Sequence, residues 1–235
     1  MKKNNHTCDL KSCFLCQNCL AEWLPAIDAN RKSLHFKKGE LIFKEGDKVN
    51  GIYFVYSGKV KVHKKWGTEK ELIIRFAQKG DIFGHRGLGH DAGGHESNYP
   101  ISATAIEPVN ACFIDLNFFQ TTLKVNYDLI YKLLLFFADE LQESERKMRN
   151  LAHMQVKGRI AQALLALKDK FGVTPEGALD VTLSRQDLAF FAGTTYETVF
   201  RIINELAQDQ IIVLDGKNIA IADAKKLLDL TREEA

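Results

Sequence analysis

Glycine is distributed unevenly along this 235-residue chain, and that distribution constrains the fold more than any other feature. Eleven of the sixteen glycines lie between Gly39 and Gly94, whereas none occurs from His95 to Lys157. Because glycine punctuates turns and weakens helices, the first region favours β structure. The second half of the glycine-free window, residues 117–155, is helix-forming throughout. The chain therefore predicts a β unit followed by a long helix.

The glycine-rich region, residues 34–115, carries short β-favouring stretches separated by turn residues. Residues 52–55 and 60–63 lie on either side of Ser57-Gly58, and further strands are predicted at 71–77 and 111–114. No stretch in this region suits a helix of ordinary length. The pattern predicts a β-roll or barrel.

The long helical stretch carries a heptad seam, with positions spaced alternately by four and three residues. The seam positions are Ile130, Leu134, Phe137, Leu141, Ser144, Met148 and Leu151. A second stripe of Leu129, Leu133 and Phe136 is predicted to pack on the β unit. Three heptads exceed what one small roll can cover, which favours a homodimer through this helix. Burial of both stripes within one chain is the alternative.

Residues 183–209 contain two short helical patterns separated by Gly193. Ser184 with Asp187 predicts the start of the first helix, and Thr195 predicts the cap of the second. In the second helix, Val199, Ile202, Ile203 and Leu206 repeat at helical spacing and predict a buried face. The outward positions are Tyr196, Glu197, Phe200, Arg201, Asn204 and Gln208.

Two β-favouring stretches, residues 211–214 and 219–221, follow this helix pair around the turn Asp215-Gly216. A helix pair with such a hairpin predicts a winged helix-turn-helix, whose second helix fits the major groove of DNA. An ordinary helical hairpin is the alternative. An amphipathic helix over residues 157–171 precedes the pair, and Asp223 predicts the cap of a last helix.

Composition excludes several classes of protein. The chain is 46% hydrophobic and 26% charged with a net charge of +2, which is typical of a globular protein. The longest strongly apolar run, residues 133–138, is too short to span a membrane, and a cytoplasmic location is expected. No phosphate-binding loop, nucleophile elbow or thioredoxin-like dithiol setting occurs, so no enzyme activity is predicted.

Cysteine is clustered near the N-terminus. Cys8, Cys13, Cys16 and Cys19 lie within twelve residues, and Cys112 stands alone in the predicted roll. In a reducing compartment such clustering favours metal or redox chemistry over structural disulfides. Iron-sulfur clusters commonly use three thiolates close in sequence and one distant thiolate. Zinc on four N-terminal thiolates is the main alternative.

Three short segments carry a resemblance to a known family. They are residues 37–43, Gly46-Asp47, and the turn at residues 80–84. With the long helix and the winged helix-turn-helix, the chain resembles the bacterial transcription regulators that include the cyclic-AMP receptor protein and, closer to this chain, the fumarate-nitrate reduction regulator. The resemblance implies an α+β fold with an N-terminal β-roll sensor domain, a long dimerisation helix and a C-terminal winged helix-turn-helix.

The resemblance also implies a domain division and partners. A Cys-rich segment would occupy residues 1–33, the roll with its dimer helix 34–152, and the DNA-binding domain 153–235. The partners implied are a second copy of the chain, double-stranded DNA with a palindromic operator, and RNA polymerase.

In the family, the recognition helix reads DNA with a Glu and an Arg four residues later, which correspond here to Glu197 and Arg201. A carboxylate accepts from cytosine N4, and a guanidinium donates to guanine or phosphate. The predicted DNA-contacting set is Thr195, Tyr196, Glu197, Thr198, Phe200 and Arg201. Phe200 stands where the family has a small residue, which predicts a different operator sequence.

Cyclic-nucleotide-binding members carry Gly-Glu and Arg-Ser pairs, whereas this chain has Gly84-His85 and Tyr99-Pro100 at the corresponding places. A buried phosphodiester without its Arg would be an uncompensated charge, so binding of cyclic AMP in the usual mode is not expected. Arg86 is a conceivable substitute, although a solvent-facing Arg is commoner. His85, His90 and His95 raise the alternative of haem or metal ligation.

In the resembled oxygen-sensing regulators, a distant cluster ligand falls at the position of Cys112. The resemblance therefore implies an oxygen-labile [4Fe-4S] cluster on Cys13, Cys16, Cys19 and Cys112, with Cys8 as a spare. Structural zinc, with Cys112 packed in the core, remains the alternative. A nucleotide-binding signalling module whose C-terminal helices contact protein is the alternative from a different class.

Overall fold

The computed structural model describes residues 13–67, 70–89 and 97–232. Within these residues the chain forms two compact units. The first holds residues up to 64 together with 74–141, and the second holds the remaining residues. Cys8, His90 and His95, which the sequence singles out, lie outside the described residues.

The first unit is built around two four-stranded antiparallel sheets, which confirms the predicted β-roll. One sheet has the order β1-β8-β3-β6 and the other the order β2-β7-β4-β5. The strands are β1 (Lys32–Phe36), β2 (Leu41–Phe43), β3 (Gly51–Ser57), β4 (Val60–Trp66), β5 (Lys70–Ala77), β6 (Ile82–Phe83), β7 (Ser102–Ala105) and β8 (Val109–Asp115).

Strand β3 is central because it pairs with both β6 and β8. Its register places Phe54 opposite Cys112 and Tyr53 opposite Phe113. Successive side chains of a strand point to opposite faces, so Tyr53 enters the interior of the roll while Phe54 faces the helices. The roll consequently has two apolar cores, one on each face of this sheet.

Two short helices that the sequence did not predict precede the roll. They are α1 (Phe14–Asn18) and α2 (Leu24–Asn30), with a 3-10 turn at Ala21–Trp23 between them. The backbone N–H of Phe14 donates to the carbonyl oxygen of Gly80 at 2.8 Å. Leu15 and Ile27 are fully buried in the helix-facing core. Burial of these two side chains fixes helices too short to be stable alone.

The helical stretch after β8 is broken, although the sequence predicts helix throughout residues 117–155. Helix α3 (Leu116–Val125) ends at Asn126, and α4 (Tyr127–His153) begins directly after it. The side chain of Asn126 donates to the Thr122 carbonyl at 2.8 Å and accepts from the Leu20 backbone N–H at 2.8 Å. These bonds hold Asn126 in a non-helical conformation, with φ −122° and ψ 85°.

The two apolar stripes of α4 have different environments. Leu129 and Leu133 are buried in the helix-facing core, with Phe136 packed against it, which confirms the second predicted stripe. The apolar seam positions remain exposed in the single chain, at 36–62%, and Ser144 is half-buried. They are Ile130, Leu134, Phe137, Leu141, Met148 and Leu151. A row of exposed apolar side chains is what an unpaired dimer helix presents.

The second unit is the predicted winged helix-turn-helix. Its elements are α5 (Val156–Phe171), α6 (Arg185–Ala192), α7 (Tyr196–Gln208), β9 (Ile212–Asp215), β10 (Asn218–Ile221) and α8 (Ala224–Asp229). Its core contains Ile160, Leu164 and Leu167 from α5. The four positions predicted for the buried face of α7 are all buried, which confirms its periodicity. No helix in the described ranges is long and apolar enough to cross a membrane.

Candidate functional site

The turn between α6 and α7 is fixed at each step by side-chain chemistry. Ser184 caps α6 by accepting from the backbone N–H of Asp187 at 2.9 Å. Gly193 ends α6 in the left-handed conformation with φ 64°, and Thr195 caps α7 by accepting from Thr198. Glycine adopts this conformation at little cost, which explains the sharp turn. The predicted starts of both helices are confirmed.

Arg159, which the sequence analysis did not single out, holds this turn through hydrogen bonds. The guanidinium of Arg159 on α5 donates to the carbonyl oxygens of Met154 at 2.9 Å, Ala192 at 3.1 Å and Gly193 at 3.2 Å. Burial lowers the pKa of Arg159. The last carbonyls of α6 would otherwise lack partners, so Arg159 acts as a tertiary C-terminal cap.

The outward face of α7 carries polar and aromatic groups side by side. Tyr196 is 43% exposed and Phe200 is 53% exposed, and Glu197 and Arg201 are exposed beside them. The guanidinium of Arg201 contacts Glu205 at 2.5 Å on the same helix. The exposed set predicted from the sequence therefore shares one helix, except that Thr195 is its cap and Thr198 is half-buried.

The wing formed by β9 and β10 is tied to the first residue of α6. Arg185 donates to the carbonyl oxygens of Gly216 at 3.2 Å and Lys217 at 3.3 Å, at the tip of the hairpin. Burial lowers the pKa of Arg185, and the charge of Tyr196 partly offsets this effect. This contact could not be predicted from local sequence, because 31 residues separate Arg185 from Gly216.

The fold brings four cysteines to the helix-facing core of the roll. Cys13, Cys16 and Cys112 are buried members of this cluster, and Cys19 packs against it. Cys13 caps α1, and its Sγ accepts from the backbone N–H of Cys16 at 3.3 Å. The N-terminal triplet and the distant Cys112 therefore share one apolar environment, although about ninety residues separate them.

Thiol chemistry in this cluster differs from that of an exposed cysteine. Burial, with a smaller contribution from the nearby Cys13, raises the pKa of Cys19 to about 12. A metal would reverse this shift, because coordinating thiols are deprotonated. The donor set thus fits an iron-sulfur or zinc group in chemistry and burial. Among the described residues, however, no three His, Cys, Asp or Glu side chains are already arranged to hold a metal ion.

Aromatic rings fill the interior of the roll on the other side of β3. Tyr99 stacks on Phe43 with ring centroids 4.0 Å apart, and its hydroxyl donates to the Gly51 carbonyl at 2.6 Å. Burial raises the pKa of Tyr99 above its ordinary value. At Gly84, an added Cβ would lie 3.3 Å from both Tyr53 and Tyr99. The position that the resemblance assigns to a phosphate contact is occupied by a buried phenol ring.

A buried cluster of charged and polar side chains joins the roll to α4. The carboxylate of Glu140 contacts Arg75 at 2.7 Å, His85 at 3.0 Å and Arg86 at 3.1 Å. Arg75 also donates to the carbonyl oxygen of Ile82. Arg86 is therefore half-buried and paired with a carboxylate, which corrects the expectation that it faces solvent. His85 is buried, at 1% exposure.

The cluster sets the protonation of its members. Burial alone would raise the pKa of Glu140, but the hydrogen bond from His85 and the charge of Arg75 outweigh burial and lower the pKa to about 2. Burial lowers the pKa of His85, with the hydrogen bond to Glu140 offsetting part of the effect. At neutral pH the cluster holds an ionised carboxylate and an uncharged imidazole, whose Nε2–H donates to Glu140.

These features define a transcription regulator with a cyclic-nucleotide-binding-type roll, a long helix and a winged helix-turn-helix. Two family models match the chain: the cyclic nucleotide-binding domain over residues 33–126 and the Crp-like helix-turn-helix domain over residues 158–230. The chain belongs to the CRP/FNR family of DNA-binding transcription regulators. This membership supports the prediction that the chain is not an enzyme.

Two curated relatives illustrate the likeness. The chain is 29% identical over 206 residues to the CRP-like cAMP-activated global transcriptional regulator of Mycobacterium tuberculosis, covering 87% of this chain and 90% of the relative. It is 32% identical over 178 residues to the cAMP-activated global transcriptional regulator CRP of Escherichia coli, covering 75% of this chain and 83% of that protein.

Solved structures show the same fold. The structure of FixK2 from Bradyrhizobium japonicum matches with a TM-score of 0.75 at 23% identity, covering 87% of this chain and 99% of that chain. The c-di-GMP responsive global regulator CLP of Xanthomonas campestris matches with a TM-score of 0.73 at 22% identity, covering 86% and 99%.

Proposed function

We propose that this DNA-binding regulator senses oxygen or redox state through a [4Fe-4S] cluster on Cys13, Cys16, Cys19 and Cys112. One observation carries the proposal: the fold gathers these four thiols into a single apolar cluster. When bound, such a cluster would be held by the four thiolates and would react with oxygen. In its signal, such a regulator would resemble the fumarate-nitrate reduction regulator more than the cyclic-AMP receptor protein.

The segment that carries the N-terminal cysteines contacts α4 and the break before it directly. The ring of Phe14, next to Cys13, lies 5.5 Å from the ring of Phe136 on α4. The backbone N–H of Leu20, next to Cys19, donates to Asn126 at the break between α3 and α4. The two contacts lie in the N-terminal half of α4 and at the residue just before it. Loss of order in the cysteine segment would loosen both, and we infer that this weakens the dimer.

The regulators of Mycobacterium tuberculosis and Escherichia coli named above are cAMP-activated, but the interior of this roll argues for a different signal. Tyr99 and Phe43 stack where a phosphodiester would need a cation, and His85 is already bonded to Glu140. Placing a phosphodiester there would break buried hydrogen bonds without supplying a counterion. The same engagement of His85 Nε2 weighs against haem ligation through that nitrogen.

On DNA, we propose that two copies of the chain place two α7 helices in major grooves about 34 Å apart, which requires an inverted-repeat operator. Glu197 and Arg201 face outward and supply an acceptor and a donor for base edges. The dimer would form through the exposed seam of α4, and RNA polymerase would be the partner at the promoter.

Anaerobic purification followed by iron, sulfide and zinc analysis tests the sensing proposal. Visible absorption from the cluster should be lost in air, and Cys112→Ser should bind substantially less iron and sulfide than the unaltered chain. Cys8→Ser is the matched control, because Cys8 is only a spare outside the proposed set of four ligands. Stoichiometric zinc without sulfide, or a full iron-sulfur content in Cys112→Ser, would overturn the assignment.

A further inference from the structure

We propose that Tyr196 and Phe200 form a methyl-reading pair, which makes operator affinity depend on the C5-methyl groups of thymines in each half-site. The pair would be a specificity determinant additional to Glu197 and Arg201. The inference rests on DNA recognition by α7 and is independent of the iron-sulfur proposal.

The geometry of the pair carries the inference. Tyr196 and Phe200 lie one helical turn apart, and their rings stack with centroids 6.2 Å apart and an interplanar angle of 20°. Tyr196 is 43% exposed and Phe200 is 53% exposed, so the pair presents an apolar ridge to solvent. The opposite face of α7 packs into the core of the second unit, where Val199 and Ile203 are buried.

An exposed aromatic pair on an otherwise polar face is a marker of a binding surface. Glu197 and Arg201 each follow one of the two aromatic residues by one position, and all four side chains are exposed, so the polar pair and the rings lie on adjacent stripes of the exposed side of α7. The family match makes this face the one that meets DNA. A protein partner would leave Glu197 and Arg201 without their expected base contacts, and DNA is therefore the occupant to which we commit.

The major groove offers one apolar group to such a ridge, which is the thymine methyl. Unlike Arg201, Phe200 cannot donate or accept a hydrogen bond, so it cannot read guanine, adenine or cytosine through base edges. The 6.2 Å between the ring centroids is close to two base-pair steps of about 3.4 Å each. The pair can therefore cover methyls on two base pairs that are separated by one further base pair within a half-site.

Stacking also limits the entropy lost on binding. Each aromatic ring has two side-chain torsions, and contact between the rings restricts both residues before DNA arrives. Tyr196 is the first residue of α7, at the helix end that enters the groove in helix-turn-helix proteins. Its hydroxyl lies at the far end of the ring and is free to donate to a phosphate oxygen while the ring contacts a methyl.

Replacement of thymine by deoxyuridine gives a direct test, because it removes only the methyl group. An operator is first selected from random DNA with the unaltered dimer, and each thymine is then replaced in turn. We expect deoxyuridine at one or two positions per half-site to weaken binding about fourfold per methyl, and deoxyuridine elsewhere to leave binding unchanged.

The variants link the effect to the residues. In Phe200→Ser, deoxyuridine at one of the sensitive positions should carry no penalty, whereas the exposed control Gln208→Ser should keep the full pattern. Thermal unfolding of each variant verifies its fold, and the deoxyuridine series on the unaltered chain needs no variant. Equal binding of thymine and deoxyuridine operators would overturn the methyl-reading pair while leaving DNA recognition intact.

Failure to select any operator would overturn both the pair and the proposed operator recognition. If the deoxyuridine series is flat and Phe200→Ser instead loses binding to a purified protein partner, the ridge is a protein-contacting surface and the methyl-reading proposal is wrong. The iron-sulfur assignment is tested separately by metal and sulfide content. Its failure therefore cannot be confused with a failed operator selection or with a flat deoxyuridine series.

Discussion

His85 Nε2 lies 3.0 Å from Glu140 Oε2, which joins the end of β6 to the middle of α4 across 55 residues of sequence. The His85 ring also packs edge-on against Phe136 and Phe137, at centroid distances of 5.0 Å and 5.2 Å. Phe136 belongs to the buried stripe of α4 and Phe137 to the exposed seam. The same imidazole therefore contacts one residue from each of the two apolar stripes of α4.

Glu140→Gln should destabilise the first unit by about 3 kcal/mol, because it removes the carboxylate that pairs with the buried guanidinium of Arg75 and with that of Arg86. Urea unfolding followed by circular dichroism measures the loss. Asp139→Asn is the matched control, since Asp139 is exposed and directly precedes Glu140 on the same helix. Equal stability of the two variants would show that the cluster contributes nothing.

Stability of the first unit should fall with acidification in two steps. The folded pKa of His85 lies below its ordinary 6.5, so its contribution is present above pH 6.5 and is lost as the pH falls below that value. The folded pKa of Glu140 is about 2 against an ordinary 4.5, so its contribution is lost as the pH falls from 4.5 towards 2. Urea midpoints measured from pH 8 to pH 3 should show both steps, and Glu140→Gln should abolish the lower one.

Phe137→Glu should dissociate the dimer, because it places a charge on each side of an apolar seam. Sedimentation should show association weakened on the order of 100-fold, with DNA affinity reduced in parallel. Leu135→Glu is the matched control, since Leu135 is 41% exposed on the same helix but lies off the seam. A tight dimer in Phe137→Glu would place the interface elsewhere.

Arg159→Leu should lower the stability of the second unit by about 2 kcal/mol, because it removes the donors to the Met154 carbonyl and to the carbonyl oxygens of Ala192 and Gly193 at the turn before α7. DNA affinity should fall with it, since the entry angle of α7 depends on that turn. Arg159→Lys separates charge from geometry, because an ammonium group lacks the planar fork of the guanidinium. Recovery of full stability in Arg159→Lys would mean that charge alone matters.

Local rules predicted much of this molecule from its sequence. The caps at Ser184, Thr195 and Asp223 follow from side chains that bond backbone only three residues away. The buried face of α7 and the buried stripe of α4 follow from helical periodicity. The β-roll follows from the placement of glycine and β-branched residues, and the comparisons confirm the family.

The features that the sequence did not reveal depend on contacts between residues that are far apart in the chain. Glu140 reads as a surface residue of an amphipathic helix, and only the tertiary structure shows Arg75 and Arg86 on either side of its carboxylate. Asn126 lies among helix-forming residues, and its bond from Leu20 across 106 positions produces the break. Only the family resemblance pointed to a shared site for Cys112 and the N-terminal cysteines; their common burial follows from docking of α1 on the roll, for which the N-terminal sequence has no periodic signal.

The interior of the roll yields the last prediction, which is that cyclic AMP does not stabilise this protein. A ligand that binds only the folded state raises its stability in proportion to the logarithm of its concentration above Kd. Because Tyr99 is buried against Phe43 and bonded to Gly51, entry of the nucleotide would require that ring to leave the core. Thermal unfolding with millimolar cyclic AMP should show no shift, and the Escherichia coli relative provides the positive control. A saturable rise in melting temperature would contradict the prediction, and its loss in Arg86→Ala would identify Arg86 as the phosphate contact, which requires it to leave Glu140.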